Sequence, residues 1–390
     1  MSDRSAIEWT DATWNPIVGC SIVSPGCTNC YAMKMAARIE KMNRTGGSGS
    51  NYVNHYDGTT KSVNGNVVWT GKLTRAPKKT LLAPLGRKTP TKYFVNSMGD
   101  LFHEDCPDEW IDQVFAVMAL CPHHTFQVLT KRAERMRDYI TSVTFSRIDR
   151  AASSLNAKHC VPAHSLFTNV WLGVSCERQE EADERIPLLL QTPAAVRFIS
   201  AEPLLGPVDL DHIVAPEKVE GEDWRFSALQ TGDMYDRRIE NEFDARVYWD
   251  SGDGPYRDHA LDWVIVGGES GPNARPMHPD WARALRDQCA AAGVAFFYKQ
   301  WGEFFPLGEH LPGHGRVHGC TAVRPGWHKL HVNGSPTRLP DYLYPKGAEL
   351  HVMAGTQLMF RVGKKAAGRL LDGREHNDFP DSITPREAAA

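Results

Sequence analysis

A chain of 390 residues that is 42% hydrophobic and 23% charged has the make-up of a globular protein, built as one large barrel or as two to three domains, which excludes a disordered, collagen-like or coiled-coil chain. No run approaches the roughly 18 apolar residues of a membrane helix, and Met1-Ser2-Asp3-Arg4-Ser5-Ala6-Ile7-Glu8 lacks the basic head and apolar core of an export signal, so a cytoplasmic protein with no membrane partner is expected. The 44 Lys and Arg against 47 Asp and Glu leave a net charge of −3, so a polyanionic partner has to be met by a local patch.

The first dense stretch is Gly19–Tyr31, where Cys20, Cys27 and Cys30 lie in a loop broken by Pro25 and Gly26. Arg44–Val67 follows, polar and rich in Gly, Ser and Asn, and reads as a long mobile loop or small insertion. Between Lys61 and Lys92 stand eight Lys or Arg and no Asp or Glu. Such a patch could track a nucleic-acid backbone or a phosphorylated substrate, with Trp69 and Tyr93 placed to stack a base. The plainer reading is a solvated loop.

From residue 91 the pattern changes. Short β-branched and aromatic runs recur at Lys92–Ser97, Thr125–Thr130, Val170–Ser175, Val196–Ser200, Trp263–Gly267 and Val294–Lys299, and their continuous apolar character suits strands covered on both faces. Helical patterns lie at Pro107–Cys121, Gln179–Leu190 and Asp280–Ala292; the first has Ile111, Val114, Phe115 and Met118 at helical spacing. Alternation of strand and helix predicts a parallel sheet. The expected fold is α/β, a partial (β/α)6-type TIM-like barrel over residues 1–306, with insertions near 44–67 and 212–260 and an accessory β-rich segment over 307–390. The second insertion is acidic and aromatic, and Ser382–Ala390 reads as a free tail.

Polar residues gather where these strands end: Asn96, Ser97, Gly99 and Asp100; Thr130 and Lys131; Ser175 and Glu177; Ser200 and Glu202; Gly267, Gly268 and Glu269; Lys299 and Gln300. In a barrel or open α/β sheet this is the ligand face. His103-Glu104-Asp105-Cys106 fits a capping turn ahead of Pro107.

Nine cysteines in a chain expected to be cytoplasmic argue against a disulfide framework. A Cys-x2-Cys pair turns two thiolates toward one centre, and Cys20 can return to it. A structural zinc site closes at four ligands, whereas three thiolates leave one iron of an iron–sulfur cluster open. Zinc completed by His55, His103 or Cys106 is the alternative, followed by ordinary small buried cysteines and then by a redox dithiol at Cys27 and Cys30.

Glu8-Trp9-Thr10-Asp11 with Trp14-Asn15-Pro16, Phe94–His103, Val128-Leu129-Thr130-Lys131-Arg132, Ser200–Gly206 and Val266–Pro272 are similar to a family of uncharacterised phage and bacterial proteins noted for a three-cysteine motif. The likeness covers most of residues 5–305, and Gly363–Ala366 with Leu370–Arg374 also fits. The cysteine loop at the start of a parallel barrel resembles the radical S-adenosylmethionine superfamily. Six residues rather than three separate Cys20 from Cys27, and Gly267-Gly268-Glu269 sits late in the chain, with Met98-Gly99-Asp100 in the early place.

The resemblance implies that Cys20, Cys27 and Cys30 hold a [4Fe–4S] cluster, that S-adenosylmethionine is the second cofactor, and that an electron donor is a partner. It implies that Asp100 or Glu269 pairs with the cofactor's amino group, helped by Asn96, Ser97, Gly99, Gly267 and Gly268. Ser175, Glu177 and Glu202 would reach ribose hydroxyls or the carboxylate end, and Lys131 or Lys299 an anion. Lys131, Glu202 and Lys299 are the candidate catalytic residues. Two other readings stand beside it: a non-catalytic zinc- or iron–sulfur-binding protein of phage type that grips nucleic acid, and a cofactor-free hydrolase using Glu202 and Glu269.

Overall fold

The computed structural model describes residues 5–45, 54–155, 167–219, 222–231, 259–306, 310–311, 315–316, 328–331, 336–338 and 356–380. The expected tail, most of the acidic insertion and much of the segment after residue 306 lie outside them. Seven strands form one sheet: β1 (Ala12–Trp14), β2 (Lys92–Val95), β3 (Thr125–Thr130), β4 (Val170–Ser175), β5 (Val196–Ala201), β6 (Trp263–Gly267) and β7 (Ala295–Gln300). Their order in the sheet follows the chain, and the registered pairs β1–β2, β2–β3, β3–β4, β5–β6 and β6–β7 are parallel. This is the α/β class of a partial TIM-like barrel.

The strands predicted from apolar runs are those found, within two residues at each end. One is added. β1 has only three residues, too short for an apolar run to reveal it, yet Ala12 and Trp14 are fully buried and pair with Tyr93 and Val95. The sheet therefore has seven strands, where about six were expected. β2 stops at Val95, short of the predicted Ser97, because Asn96 adopts a left-handed backbone with φ of 54°, a conformation that Asn tolerates better than most residues.

Two compact units divide the described residues: one within 5–174 with 188–197, the other within 175–187 and 198–380. In the first, α1 (Tyr31–Thr45) packs Ala32, Met33 and Ala36 on Val18, Tyr56, Trp69 and Met98. The region expected as a loop carries an antiparallel hairpin, Thr60–Val63 with Asn66–Trp69. Helix α2 (Asp108–Ala119) buries Ile111, Val114, Phe115 and Met118, the positions that its spacing predicts. Beyond its end, the buried Asn169 amide donates to the carbonyls of Met118, Cys121 and His124, tying down the turns that follow the helix.

Two helices of this unit went unforeseen, α3 (Ala133–Ser142) and α4 (Phe145–Ser154). Polar residues fasten them to α2: Tyr139 donates to Asp112 at 2.7 Å, and Arg147 pairs with Asp112 at 2.8 Å and Asp108 at 2.6 Å.

Helix α5 (Gln179–Leu190) begins in the second unit and ends in the first, and in the second unit α6 (Pro279–Ala292) connects β6 to β7. The start and stop of α6 are written locally. His278 accepts from the Asp280 amide, Pro279 takes the first helical position, and Gly293 ends the helix with φ of 70°, the left-handed geometry glycine allows. Ile213–Val219 and Glu222–Phe226 form an antiparallel hairpin. A four-stranded sheet runs in the order Phe304–Pro306, Thr356–Arg361, His328–His331, Pro336–Arg338. Among the described residues no helix is long and apolar enough to cross a membrane.

Candidate functional site

In the first unit the cysteine loop meets the turns that follow β2 and β3. Its entry is fixed by two glycines that form a parallel bridge, Gly19 and Gly99. A Cβ on Gly99 would lie 2.8 Å from the Gly19 carbonyl oxygen, and one on Gly19 would lie 2.1 Å from that of Lys72. Gly99 is therefore an approach point between backbones. Beside it Asn15 accepts from the Ser97 hydroxyl at 3.1 Å and the Met98 amide at 3.0 Å, while Tyr31 donates to the Ser97 carbonyl at 2.9 Å. This ties the residue after Cys30 to the end of β2.

Asp100 is the hub. It is 5% exposed and accepts from the Phe102 amide, the Thr130 hydroxyl, the Lys131 amide and the Arg132 guanidinium at 2.7–3.1 Å. Arg132 in turn donates to Glu104 at 3.0 Å, to the Ser21 hydroxyl at 2.7 Å and to the Cys20 sulfur at 3.4 Å. His103 is 2.9 Å from the same Ser21 hydroxyl and accepts from the Asp105 amide. The expected cap of α2 is not made, since its N-cap is Pro107 with no side-chain bond.

The strand-end pattern points to Lys131, but it is the neighbouring Arg132 whose side chain makes these contacts. The guanidinium is the better fit because its fork can satisfy a carboxylate, a hydroxyl and a sulfur together. Burial opposes ionisation of Glu104, yet its own backbone amide and Arg132 hold it down at about 2. Its contribution to stability is in place above pH 4.5, its ordinary value, and is lost as pH falls toward 2.

The three cysteines are free thiols. Cys20 and Cys30 pack against the cluster of Val18, Met33 and Met98, and Ser24 Oγ lies 3.8 Å from the Cys27 sulfur. Burial, then the Asp100 carboxylate, push the Cys20 thiol up to about 12 against the pull of Arg132. Burial raises Cys30 too, with Lys131 among the groups that oppose it. The thiolate is the reactive form, so at pH 8 the metal-free protein's Cys20 should react with iodoacetamide about a hundred to a thousand times more slowly than an ordinary cysteine. The rate should climb as pH rises toward 12. Peptide mass spectrometry reads it, and an ordinary rate at pH 8 would contradict the burial.

Among the described residues no three His, Cys, Asp or Glu side chains are arranged to hold one metal ion. Cys20, Cys27 and Cys30 share one loop, and Cys20 and Cys30 pack on the same apolar cluster. Two buried donors nearby have no hydrogen-bond partner among the described residues: Asn96 Nδ2, on a side chain whose Oδ1 accepts from Ile17, and Lys34 Nζ, one helical turn after Cys30. Unsatisfied buried donors call for an acceptor. The residues fit an anionic thiolate-bound cluster.

Trp69 and Tyr93 are 7% and 0% exposed. Both belong to the core, which corrects their expected role as base-stacking platforms.

The remaining candidates lie in the second unit, apart from the cysteine loop's own unit. Glu177 is fully buried and pairs with Arg185 at 3.1 Å, and Arg185 also donates to the Ser175 carbonyl. Glu269, 6% exposed, takes both a bidentate contact and a backbone amide bond from Arg275. A Cβ on Gly268 would lie 1.9 Å from the Trp301 carbonyl oxygen, so this glycine serves backbone crossing. Glu202 and Lys299 do meet. Lys299 Nζ lies 2.7 and 2.8 Å from the two carboxylate oxygens, and Gln300 donates to the carboxylate and to Ser270.

The register explains how. Val266 faces Tyr298 but Gly267 faces Gln300, so Lys299 is the extra residue of a bulge, a device that re-aims a side chain. A Cβ on Gly267 would lie 3.4 Å from Glu202 and 3.5 Å from Lys299, in ordinary contact with the pair.

Comparison with curated proteins and with solved structures finds no match. A family model described as "Protein of unknown function (DUF5131)" matches residues 4–380. The chain that carries this thiol-rich loop beside Asp100 and Arg132 belongs to that family.

Proposed function

We propose that the chain is an iron–sulfur enzyme of the radical S-adenosylmethionine type, with Cys20, Cys27 and Cys30 as thiolate ligands of a [4Fe–4S] cluster. The observation that carries the reading is the thiol loop itself: three free thiols within eleven residues beside the turns that follow β2 and β3, a guanidinium on Cys20, and the buried donors Asn96 and Lys34. When bound, the cluster would supply the electron that cleaves the sulfonium C–S bond of S-adenosylmethionine so that a hydrogen can be taken from substrate.

The chain's own residues have separable tasks. Arg132 donates to the Cys20 sulfur and favours its thiolate. Lys131 does the same for Cys30 through space. Val18, Met33 and Met98 give Cys20 and Cys30 an apolar backing. Asp100 holds Arg132 in place, a positioning task that occupies its carboxylate. Lys299, aimed by its bulge, and Glu202 form a pair whose charges can meet an anion and a hydroxyl of a ligand in the second unit. The reading takes the substrate to be phosphate-bearing, met by the Lys61–Lys92 cations through phosphate and not through base stacking.

The test is anaerobic reconstitution followed by S-adenosylmethionine and dithionite. 5′-Deoxyadenosine is expected from the wild type and not from Cys30→Ala; a fully iron-loaded protein that forms none would defeat the reading. A colourless protein with one zinc would support the zinc-binding alternative.

A further inference from the structure

We propose that Arg132 sets the reduction potential of the iron–sulfur cluster, acting through Cys20 as a positioning residue. The inference rests on the iron–sulfur reading above and concerns the groups that surround the sulfurs.

Each sulfur faces a donor of its own. Arg132 Nη1 lies 3.4 Å from the Cys20 sulfur. The Ser24 hydroxyl stands 3.8 Å from the Cys27 sulfur and becomes its donor once that sulfur is a thiolate. Cys30 immediately precedes α1, and the Met33 and Ala32 amides of the first turn donate to its sulfur, the bonds that an N-cap side chain makes. Hydrogen bonds to the sulfurs are among the levers that move a cluster's potential. An added electron makes the sulfurs more negative, so donors and positive charge beside them favour the reduced form and raise the potential.

Of these donors only Arg132 carries a full charge. Its side chain is 9% exposed, in surroundings where a charge is screened far less than in water, and a guanidinium stays protonated. Its backbone is fixed as well, since the Arg132 amide donates to the Thr130 hydroxyl at 2.9 Å.

The guanidinium has no donor left for a ligand. Its five N–H groups meet Glu104 through Nε, Asp100 and Cys20 through Nη1, and the Ser21 hydroxyl and carbonyl through Nη2, at 2.7–3.4 Å. Ser21 Oγ donates in turn to the other Glu104 oxygen at 3.1 Å, which closes a ring of three side chains. An arginine that binds substrate needs donors in reserve. This one is committed to holding its own place against Cys20, so its effect on the cluster is electrostatic.

The experiment is an anaerobic redox titration of the full-length, iron-loaded protein without S-adenosylmethionine. Dithionite supplies one electron per cluster, with no bond or proton changing place, and the electron paramagnetic resonance signal of the reduced cluster is the readout. Arg132→Gln removes the charge and leaves the Asp100 and Glu104 carboxylates uncompensated, so its potential should fall. At the wild-type midpoint the ratio of reduced to oxidised cluster should drop at least about 10-fold, which is about 59 mV for one electron. Arg132→Lys keeps the charge and loses the fork, and should fall by less. Glu104→Gln, at a side chain 57% exposed, removes the opposite charge and should raise the potential. Iron content and circular dichroism check that each variant is loaded and folded.

A loaded Arg132→Gln protein at or above the wild-type potential would overturn the proposal. So would a fall in Glu104→Gln, because two opposite charges moving the potential the same way mark a loosened loop and not a field. If Arg132→Gln holds no cluster, Arg132→Lys decides: a potential below wild type upholds the proposal, and an unchanged one overturns it. The shifts in a protein that forms no 5′-deoxyadenosine would keep the role of Arg132 and defeat the radical reading, whereas a wild type that loads no cluster would defeat both.

Discussion

Asp100→Ala is expected to lower the free energy of unfolding by about 3–5 kcal/mol, the cost of breaking a buried ion pair from one side. Its carboxylate is 5% exposed and accepts four hydrogen bonds from residues 102 to 132, so one truncation releases the turns after β2 and β3 together. The Arg132 side chain, 9% exposed, would lose its buried partner while keeping Glu104 and Ser21. Urea denaturation gives the magnitude. Asp100→Asn separates charge from shape: it should cost less, and because the carboxylate helps to raise the Cys20 thiol, alkylation of Cys20 should speed up. A loss below about 1 kcal/mol in the alanine variant, the value of an exposed pair, would show that the hub carries no such load.

Gly19→Ala is the second large effect. The backbone there has φ of 101°, and the added Cβ would sit 2.1 Å from the Lys72 carbonyl oxygen and 3.1 Å from its carbon. A backbone neighbour cannot swing aside as a flexible side chain can, so strain and displacement together should cost about 3 kcal/mol or more. The displaced segment is the entry to Cys20, so iron retention should fall with stability. Gly65→Ala is the control: its φ is 77° but nothing lies within 4 Å, which leaves only the left-handed penalty of about 1–2 kcal/mol. Thermal unfolding of the two variants compares them, and equal losses would remove the close-approach argument.

Much of the sheet was legible because its signal is local. Thr125–Thr130, Val170–Ser175 and Trp263–Gly267 are apolar runs of strand length, and each is a strand with the predicted ends. The short β1 carries no such run, and its place depends on pairing with residues some eighty positions later. The hairpin over Thr60–Trp69 was hidden by composition: Asn64 and Gly65, both left-handed, are its turn, but the flanking polar residues look like loop.

The candidate site was legible in kind and not in connection. Cys spacing named the thiol loop, and strand ends named Asp100, Glu202 and Lys299. That Asp100 would be committed to Arg132, that Glu269 would be held by Arg275, and that Glu177 would be sealed against Arg185 follow from three-dimensional proximity. Periodicity has no access to that. The bulge at Lys299 is similar: only the register of β6 against β7 reveals it.

Iron and acid-labile sulfide counted per chain after anaerobic reconstitution bear most directly on the thiol loop. The expected result is about four of each, as a [4Fe–4S] cluster requires, in a brown protein that loses both when Cys27 is replaced by alanine. A colourless protein, or iron content unchanged after replacing Cys20, Cys27 and Cys30 together, would contradict the assignment.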